Sequence, residues 1–313
     1  MDAIRVEGLQ KFYGPVRALD GLDLTVEPGT VFGFLGPNGA GKTTTIRVLT
    51  GLAHATEGRA WVMGAEITAD DHEVARRIGY LPEEPAFYTW MTPREFLDHV
   101  GRVFGLSTSE RAARVKELLE LVGLSEVGKR RIGGFSRGMR QRLGLAQALV
   151  NRPEVLFLDE ALSGLDPAGR KEILELIERL CGQCTVFMST HILADIERVC
   201  DTIAIIARGR LVTQSPREVL LARYAIPAFE VETDSGFEAP LNGWAKALRQ
   251  KSWVQSVSIS GLKVRVIVHE IETAKRELLP SAVQAGLVLT RYEMLRPSLE
   301  DIFLRLVGEG GEL

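Results

Sequence analysis

No apolar run in the 313 residues approaches the roughly 18 that a membrane-crossing helix needs, so any membrane role has to come through a partner. The opening residues, Met-Asp-Ala-Ile-Arg-Val-Glu, lack the apolar stretch of a signal peptide, which predicts a cytoplasmic location. Neither sign of charge dominates: 38 basic residues face 41 acidic ones, the net charge is −3 and the pI is near 6.1. Such a balance creates no general field towards DNA or anionic lipid, and no nucleic-acid partner is expected. Cysteine is scarce and odd in number (Cys181, Cys184 and Cys200), which fits a reducing compartment. Cys181-Gly-Gln-Cys184 is a C-x-x-C pair, open to zinc or redox chemistry. No second Cys/His pair is spaced to complete a metal site, and Gly182 reads as a helix stop. Internal repeats and low-complexity segments are missing too. What remains is a globular composition, 45% hydrophobic and 25% charged, long enough for one large or two smaller domains.

Residues 36–43 read Gly-Pro-Asn-Gly-Ala-Gly-Lys-Thr, the spacing G-x-x-x-x-G-K-T. A strand pattern precedes them from Val31 to Leu35, and a helix pattern follows from Thr43 to Leu52. A chance glycine-rich turn would not bring both flanking elements. In a phosphate-binding loop, Gly36, Gly39 and Gly41 take backbone angles closed to other residues, so successive N–H groups curl round phosphates. The helix start adds its partial positive charge. Lys42 is expected on the β- and γ-phosphates and Thr43 on Mg²⁺. Pro37, Asn38, Ala40 and Thr44 complete the expected nucleotide contact. The chain should therefore bind a nucleoside triphosphate.

Around this loop the pattern is mixed. Residues 3–9 and the alternation of Leu22, Leu24 and Val26 suggest an antiparallel pair. Strands are expected at Ala60–Met63, Ile78–Leu81, Val155–Leu158, Thr185–Met188 and Thr202–Ile206. Between 92 and 150 the chain reads as helix after helix, opened by the capping boxes Thr92-Pro93-Arg94-Glu95 and Ser107-Thr108-Ser109-Glu110. The core is thus α/β with mainly parallel strands and a helical insertion at about 84–150. The first domain should end near residue 218. Beyond it, strands at Phe229–Thr233, Val254–Ser260, Leu262–His269 and Leu287–Glu293 alternate with helices at 240–251 and 271–285. That order, βαββαβ, predicts a small ferredoxin-like α+β domain over 219–313, with a last helix at 297–307.

Val155-Leu156-Phe157-Leu158-Asp159-Glu160 is an apolar strand ending in two carboxylates, the Walker B pattern when it follows a phosphate loop. Asp159 is expected in the Mg²⁺ shell. Glu160, pointing to the other side, is placed to take a proton from the attacking water. Just upstream stands Phe135-Ser136-Arg137-Gly138-Met139. Here the chain resembles the ATP-binding-cassette (ABC) family, whose signature is usually Leu-Ser-Gly-Gly-Gln. Ser136 and Gly138 keep the serine and second glycine, and Arg137 replaces a glycine. The resemblance implies that these residues meet the γ-phosphate held by an opposite subunit. Ser163-Gly164-Leu165-Asp166 resembles the loop that crosses that dimer interface, with Asp166 among its contacts. Ser189-Thr190-His191 is similar to the family's switch histidine segment, and Tyr13 resembles the aromatic that stacks on adenine, a core Tyr being the alternative. After Ile78-Gly79-Tyr80-Leu81-Pro82 the family usually has Gln, whereas this chain has Glu83, a further oxygen for Mg²⁺ or its waters. Pro85-Ala-Phe-Tyr-Thr-Trp-Met91 is apolar and aromatic. It reads equally as a docking groove or as local core.

The resemblance covers residues 1 to about 218. It implies an ABC cassette that binds ATP and Mg²⁺, pairs as a homodimer or heterodimer, and powers a separate membrane-spanning subunit from the inner face of the membrane. Arg296-Pro297-Ser298-Leu299-Glu300-Asp301-Ile302-Phe303 resembles the end of ATPase subunits of bacterial exporters. An importer subunit with a regulatory tail, or a non-transport ABC ATPase of DNA repair or the ribosome, is the alternative.

Overall fold

The computed structural model describes residues 2–68, 73–223, 227–295, 299–300, 302–303 and 306. Two compact units divide between Arg217 and Glu218. The first begins with the hairpin β1 (Ile4–Tyr13) and β2 (Val16–Val26). Then come β3 (Val31–Leu35), α1 (Lys42–Leu49), β4 (Glu57–Val62), β5 (Ala65–Glu66), α2 (Glu73–Arg77) and β6 (Ile78–Leu81). Three helices follow: α3 (Pro93–Val103), α4 (Thr108–Leu121) and α5 (Arg137–Ala148). The unit closes with β7 (Val155–Asp159), α6 (Pro167–Leu180), β8 (Thr185–Thr190), α7 (Leu193–Val199), β9 (Thr202–Ala207) and β10 (Arg210–Pro216). The helix α8 (Arg217–Arg223) comes next.

Two sheets build this unit. One is antiparallel, in the order β2-β1-β4-β5, and the other runs β10-β9-β3-β8-β7-β6. In the second, all neighbours are parallel except the edge strand β10. Its central strands are apolar on both faces: every residue of β3, β7 and β8 is buried. A strand covered on both sides needs such a run rather than alternation. Phe187 anchors the middle, with ring centroids 5.3 Å from Phe32, 5.2 Å from Phe34 and 5.6 Å from Phe157. Parallel strands all deliver their C-terminal ends to one edge, where ligands bind in such sheets. The loops after β3, β7 and β8 carry Gly36–Gly41, Glu160 and His191 to that edge.

Both capping boxes form. Thr92 Oγ1 accepts from Glu95 N while Glu95 Oε2 accepts from Thr92 N, and Ser107 and Glu110 repeat the exchange. Residues 84–92 carry no helix, so the insertion's helices begin later than its left boundary. The expected helix over Thr43–Leu52 ends earlier, at Leu49: Gly51 takes a left-handed φ of 74° and turns the chain.

The second unit holds β11 (Ala228–Thr233), α9 (Glu238–Leu248), β12 (Val254–Ser260), β13 (Lys263–Val268), α10 (Ile271–Gln284) and β14 (Leu289–Leu295). Its antiparallel sheet runs β12-β13-β11-β14, the strand order of a ferredoxin-like βαββαβ domain. Phe229, Val231, Val264 and Val266 pack with Trp244, Leu248, Ala274 and Leu278 of the helices. Trp244 Nε1 donates to Ser281 Oγ at 2.9 Å, and Trp253 Nε1 to Glu277 Oε2 at 3.0 Å. The opposite face of the sheet is charged, with Glu230 and Glu232 between Lys263 and Arg291. Most of the expected helix at 297–307, with Arg296, Pro297, Ser298 and Asp301 of the exporter-like segment, lies outside the described residues.

Candidate functional site: a phosphate cleft at the sheet edge

The loop after β3 wraps the start of α1. Gly41 precedes α1 with φ 107° and Gly39 has φ 78°, both open to glycine and strained for other residues. A Cβ on Gly36 would lie 2.4 Å from the Ile206 carbonyl, and one on Gly41 2.7 Å from the Ala18 carbonyl. Backbone packing, as well as φ, therefore demands glycine. Lys42 is 6% exposed. Its ammonium donates to the carbonyls of Gly36 at 2.8 Å and Pro37 at 3.2 Å and lies 3.1 Å from Glu160 Oε1.

Thr43 Oγ1 donates to Asp159 Oδ1 at 3.1 Å, and Ser189 Oγ donates to the same oxygen at 2.8 Å. Burial is the largest influence on the Asp159 carboxyl and pushes its pKa up, against the two hydroxyl donors. A buried carboxylate beside a threonine hydroxyl is an all-oxygen set suited to a hard divalent cation. Among the described residues no group of three His, Cys, Asp or Glu side chains could hold a metal by itself. A cation here would need ligands from its substrate as well.

Strand alternation predicts that Asp159 and Glu160 point apart, and here the structure differs. The strand ends at Asp159, and Glu160 takes a left-handed φ of 48°. Its N–H donates to Ser189 O and Oγ, both at 3.1 Å. This turn swings the Glu160 carboxylate back towards α1, so both acids meet the helix start, one at Lys42 and one at Thr43. His191 Nδ1 shares a hydrogen bond of 2.8 Å with Glu160 Oε2. Lys42, Glu160 and His191 thus form one chain of contacts.

These groups border a cleft of about 590 Å³ lined by Asn38, Gly39, Gly41, Lys42, Thr43, Thr44, Glu83, Glu160 and His191. Sequence reasoning missed other walls of the cleft, Val16, Arg17 and Ala18 from β2; Ser163 after β7, quoted only in the loop expected to cross a dimer interface, lines this cleft too. No motif marks the β2 residues; only the hairpin's approach to the phosphate loop brings them there. Ser189, quoted only as a neighbour of His191, holds Asp159. Ala40 is buried behind the loop, and Pro37 contributes its carbonyl to Lys42. Tyr13 sits at the end of β1, 45% exposed, with the Lys11 ammonium 4.9 Å from its ring centroid. It is not a core residue. Ser136, Arg137, Gly138 and Asp166 stand apart from this cleft. Ser136 caps α5 by accepting from Met139 N at 3.2 Å, and Asp166 caps α6 by accepting from Gly169 N at 3.0 Å. Cys184 and Cys200 are buried thiols, and burial raises the Cys184 pKa to about 11.

A phosphate loop facing a two-carboxylate strand across a largely parallel sheet defines a P-loop nucleotide hydrolase. The ABC transporter family model matches residues 19–163, and a model of the C-terminal domain of DrrA1-3-like ATP-binding proteins matches residues 217–307. An uncharacterized ABC transporter ATP-binding protein, YxlF of Bacillus subtilis (strain 168), is 39% identical over 305 residues, which are 97% of this chain and 99% of that one. The daunorubicin resistance ATP-binding protein DrrA2 of Streptomyces coeruleorubidus is 37% identical over 311 residues, 99% of this chain and 96% of that one. A solved ATP binding subunit of an ABC transporter matches with a TM-score of 0.65 at 29% identity, over 71% of this chain and 93% of that one. The chain belongs to the ATP-binding subunits of ABC transporters. It binds nucleotide and hydrolyses ATP. No helix among the described residues is long and apolar enough to cross a membrane.

Proposed function

We propose that this chain is the ATPase subunit of an exporter, working from the cytoplasmic face of the membrane through a separate membrane-spanning subunit. The observation that carries the ATPase part of the reading is the pair of contact runs Lys42–Glu160–His191 and Thr43–Asp159–Ser189 at one helix start. They gather a phosphate cation, an oxygen set for a metal and a base. Lys42 exchanges Glu160 for the β- and γ-phosphates. Thr43 and Asp159 would hold Mg²⁺, with Glu83 at the rim as a further oxygen. Once bound, the cation would supply charge neutralisation to the phosphate oxygens. Glu160, released from Lys42, accepts the proton of the attacking water, and His191 keeps its carboxylate oriented. Tyr13 offers an accessible ring to adenine.

Ser136, Arg137, Gly138 and Asp166 lie off their own cleft, which supports their serving the cleft of a second subunit in a homodimer or heterodimer. The cassette occupies residues 1–218 and the accessory domain 219–313. Tyr88 and Trp90 are exposed, 52% and 63%, which favours docking of the membrane subunit over local core. The exporter direction rests on the daunorubicin resistance relative and on the DrrA1-3-like tail match. Neither favours an importer or a non-transport ATPase.

Glu160→Gln keeps the shape of the side chain and loses the base. It should bind ATP and hydrolyse it about 10²–10⁴-fold more slowly in a phosphate-release assay. A wild-type rate would remove Glu160 from this role.

A further inference from the structure

One buried acid has no part in the chemistry of the cleft. Asp195, in the first turn of α7, is 2% exposed, and its Oδ2 has no hydrogen-bond partner. On α6, which packs against α7, the Arg170 Nε is buried and equally without a partner. Of the charges that act on Asp195, that of Arg170 is the strongest, followed by His191 and Arg198. Arg170 and Asp195 thus interact as charges rather than through a hydrogen bond. The two helix starts differ. Asp166 caps α6, and its carbonyl accepts from Arg170 N at 3.0 Å, so the turn that carries the guanidinium is fixed. The seven-residue α7 starts after Ile192, which gives no side-chain cap. His191, just before it, has a 46% exposed side chain and takes its place from the backbone that carries it. Further along, Arg198 already ties the two helices, donating to Glu178 Oε1 at 2.9 Å and lying 3.9 Å from Glu175 Oε1. Packing alone does not need a second, buried pair of charges, and apolar side chains would avoid its desolvation. A local rule broken at such a cost points to function.

We propose that Arg170 and Asp195 are positioning residues for the ATPase reaction: their buried charges hold the uncapped start of α7 against the capped start of α6 and so fix His191 on Glu160. Opposite charges attract more strongly in a buried setting than in open water, so the pair can hold the turn without a direct bond. Asp195 lies four residues after His191, so a shift of this first turn moves the histidine with it. The inference rests on His191 orienting Glu160 in the ATP cleft.

The test is a double-mutant cycle on the full chain: wild type, Asp195→Asn, Arg170→Gln and both together, with kcat and KM for ATP and the melting temperature at pH 7. Asp195→Asn should melt no lower than wild type and yet lose about fivefold or more in kcat, with KM within about twofold, because binding groups stay in place. Arg170→Gln leaves the acid buried with less compensation, so it should melt lower and lose kcat as well. The double should recover the melting temperature and be no slower than the slower single. Asp195→Glu, which keeps the charge, should regain part of the rate lost in Asp195→Asn. A wild-type kcat in Asp195→Asn, a melting temperature of that variant below wild type, or single losses in kcat that multiply in the double would overturn the pair. Should Arg170→Gln not fold, the rates and melting temperatures of Asp195→Asn and Asp195→Glu decide it. Glu160→Gln checks the cleft separately. If it loses activity while Asp195→Asn keeps the wild-type rate, the pair fails and the ATP site stands; a wild-type rate in Glu160→Gln removes the reading beneath the pair.

Discussion

Lys42 and Glu160 are buried together at 6% and 9% exposure, so each is the other's counter-ion until a nucleotide arrives. Lys42→Ala removes the phosphate cation and strands the carboxylate. It should lower ATP affinity at least about 100-fold by calorimetry and also destabilise the free protein. Asp195 shows the opposite economy. It is 2% exposed, its Oδ2 has no hydrogen-bond partner, and burial raises its pKa despite the nearby charges of Arg170, His191 and Arg198. A raised carboxyl pKa means that the folded chain holds its proton to higher pH than the unfolded chain. Stability therefore falls as pH rises from the unfolded pKa through the folded one. Asp195→Asn should melt higher than wild type at pH 7, with the advantage shrinking towards pH 4. An advantage that does not change with pH would show that the buried charge is not its source.

At the scale of elements, caps and close packing set the frame. Thr92 and Glu95 close the start of α3 reciprocally, and the backbone hydrogen bond from Thr92 holds Glu95 below its ordinary pKa. Thr92→Ala should cost about 1 kcal/mol in urea unfolding, with little effect on ATP binding. Gly36→Ala should do the reverse in kind. Its Cβ would meet the Ile206 carbonyl of β9 at 2.4 Å, so the loop must shift off its strand. Nucleotide binding should fall by more than tenfold in calorimetry, well before the protein unfolds.

For the whole molecule, the tail has its own sheet, two tryptophans hydrogen-bonded to its own helix, and its own apolar core. Truncation after Arg223 should leave a cassette that folds and binds ATP. Its loss should weaken dimer contact or coupling to the membrane subunit, read by sedimentation with ATP and by ATPase rate with and without that subunit. The two-subunit site has a complementary test. Mixing Ser136→Arg chains with Lys42→Ala chains leaves one intact site per mixed dimer and should restore partial activity. A mixture that pairs and stays inactive would overturn the trans arrangement.

Sequence alone determined the parts whose chemistry is local. The run Gly36–Thr43 allows one loop, the apolar strand ending at Asp159 has one common use after such a loop, and the period-two pattern of Phe229, Val231 and Thr233 against Glu230 and Glu232 made a strand with one wet face. Capping boxes were legible because their partners lie three residues apart. Tertiary structure decided what depends on distant neighbours. Val16 and Arg17 reach the cleft only because the β1–β2 hairpin folds over the phosphate loop, and Glu160 turns inwards only because its N–H finds Ser189 on the adjacent strand. Arg137 meets Gly164, and the pocket it shares with Glu83, by the packing of α5 beside the loop after β7. A pattern in one chain records which backbone angles and faces a residue prefers; the second partner of a long-range contact is supplied by topology.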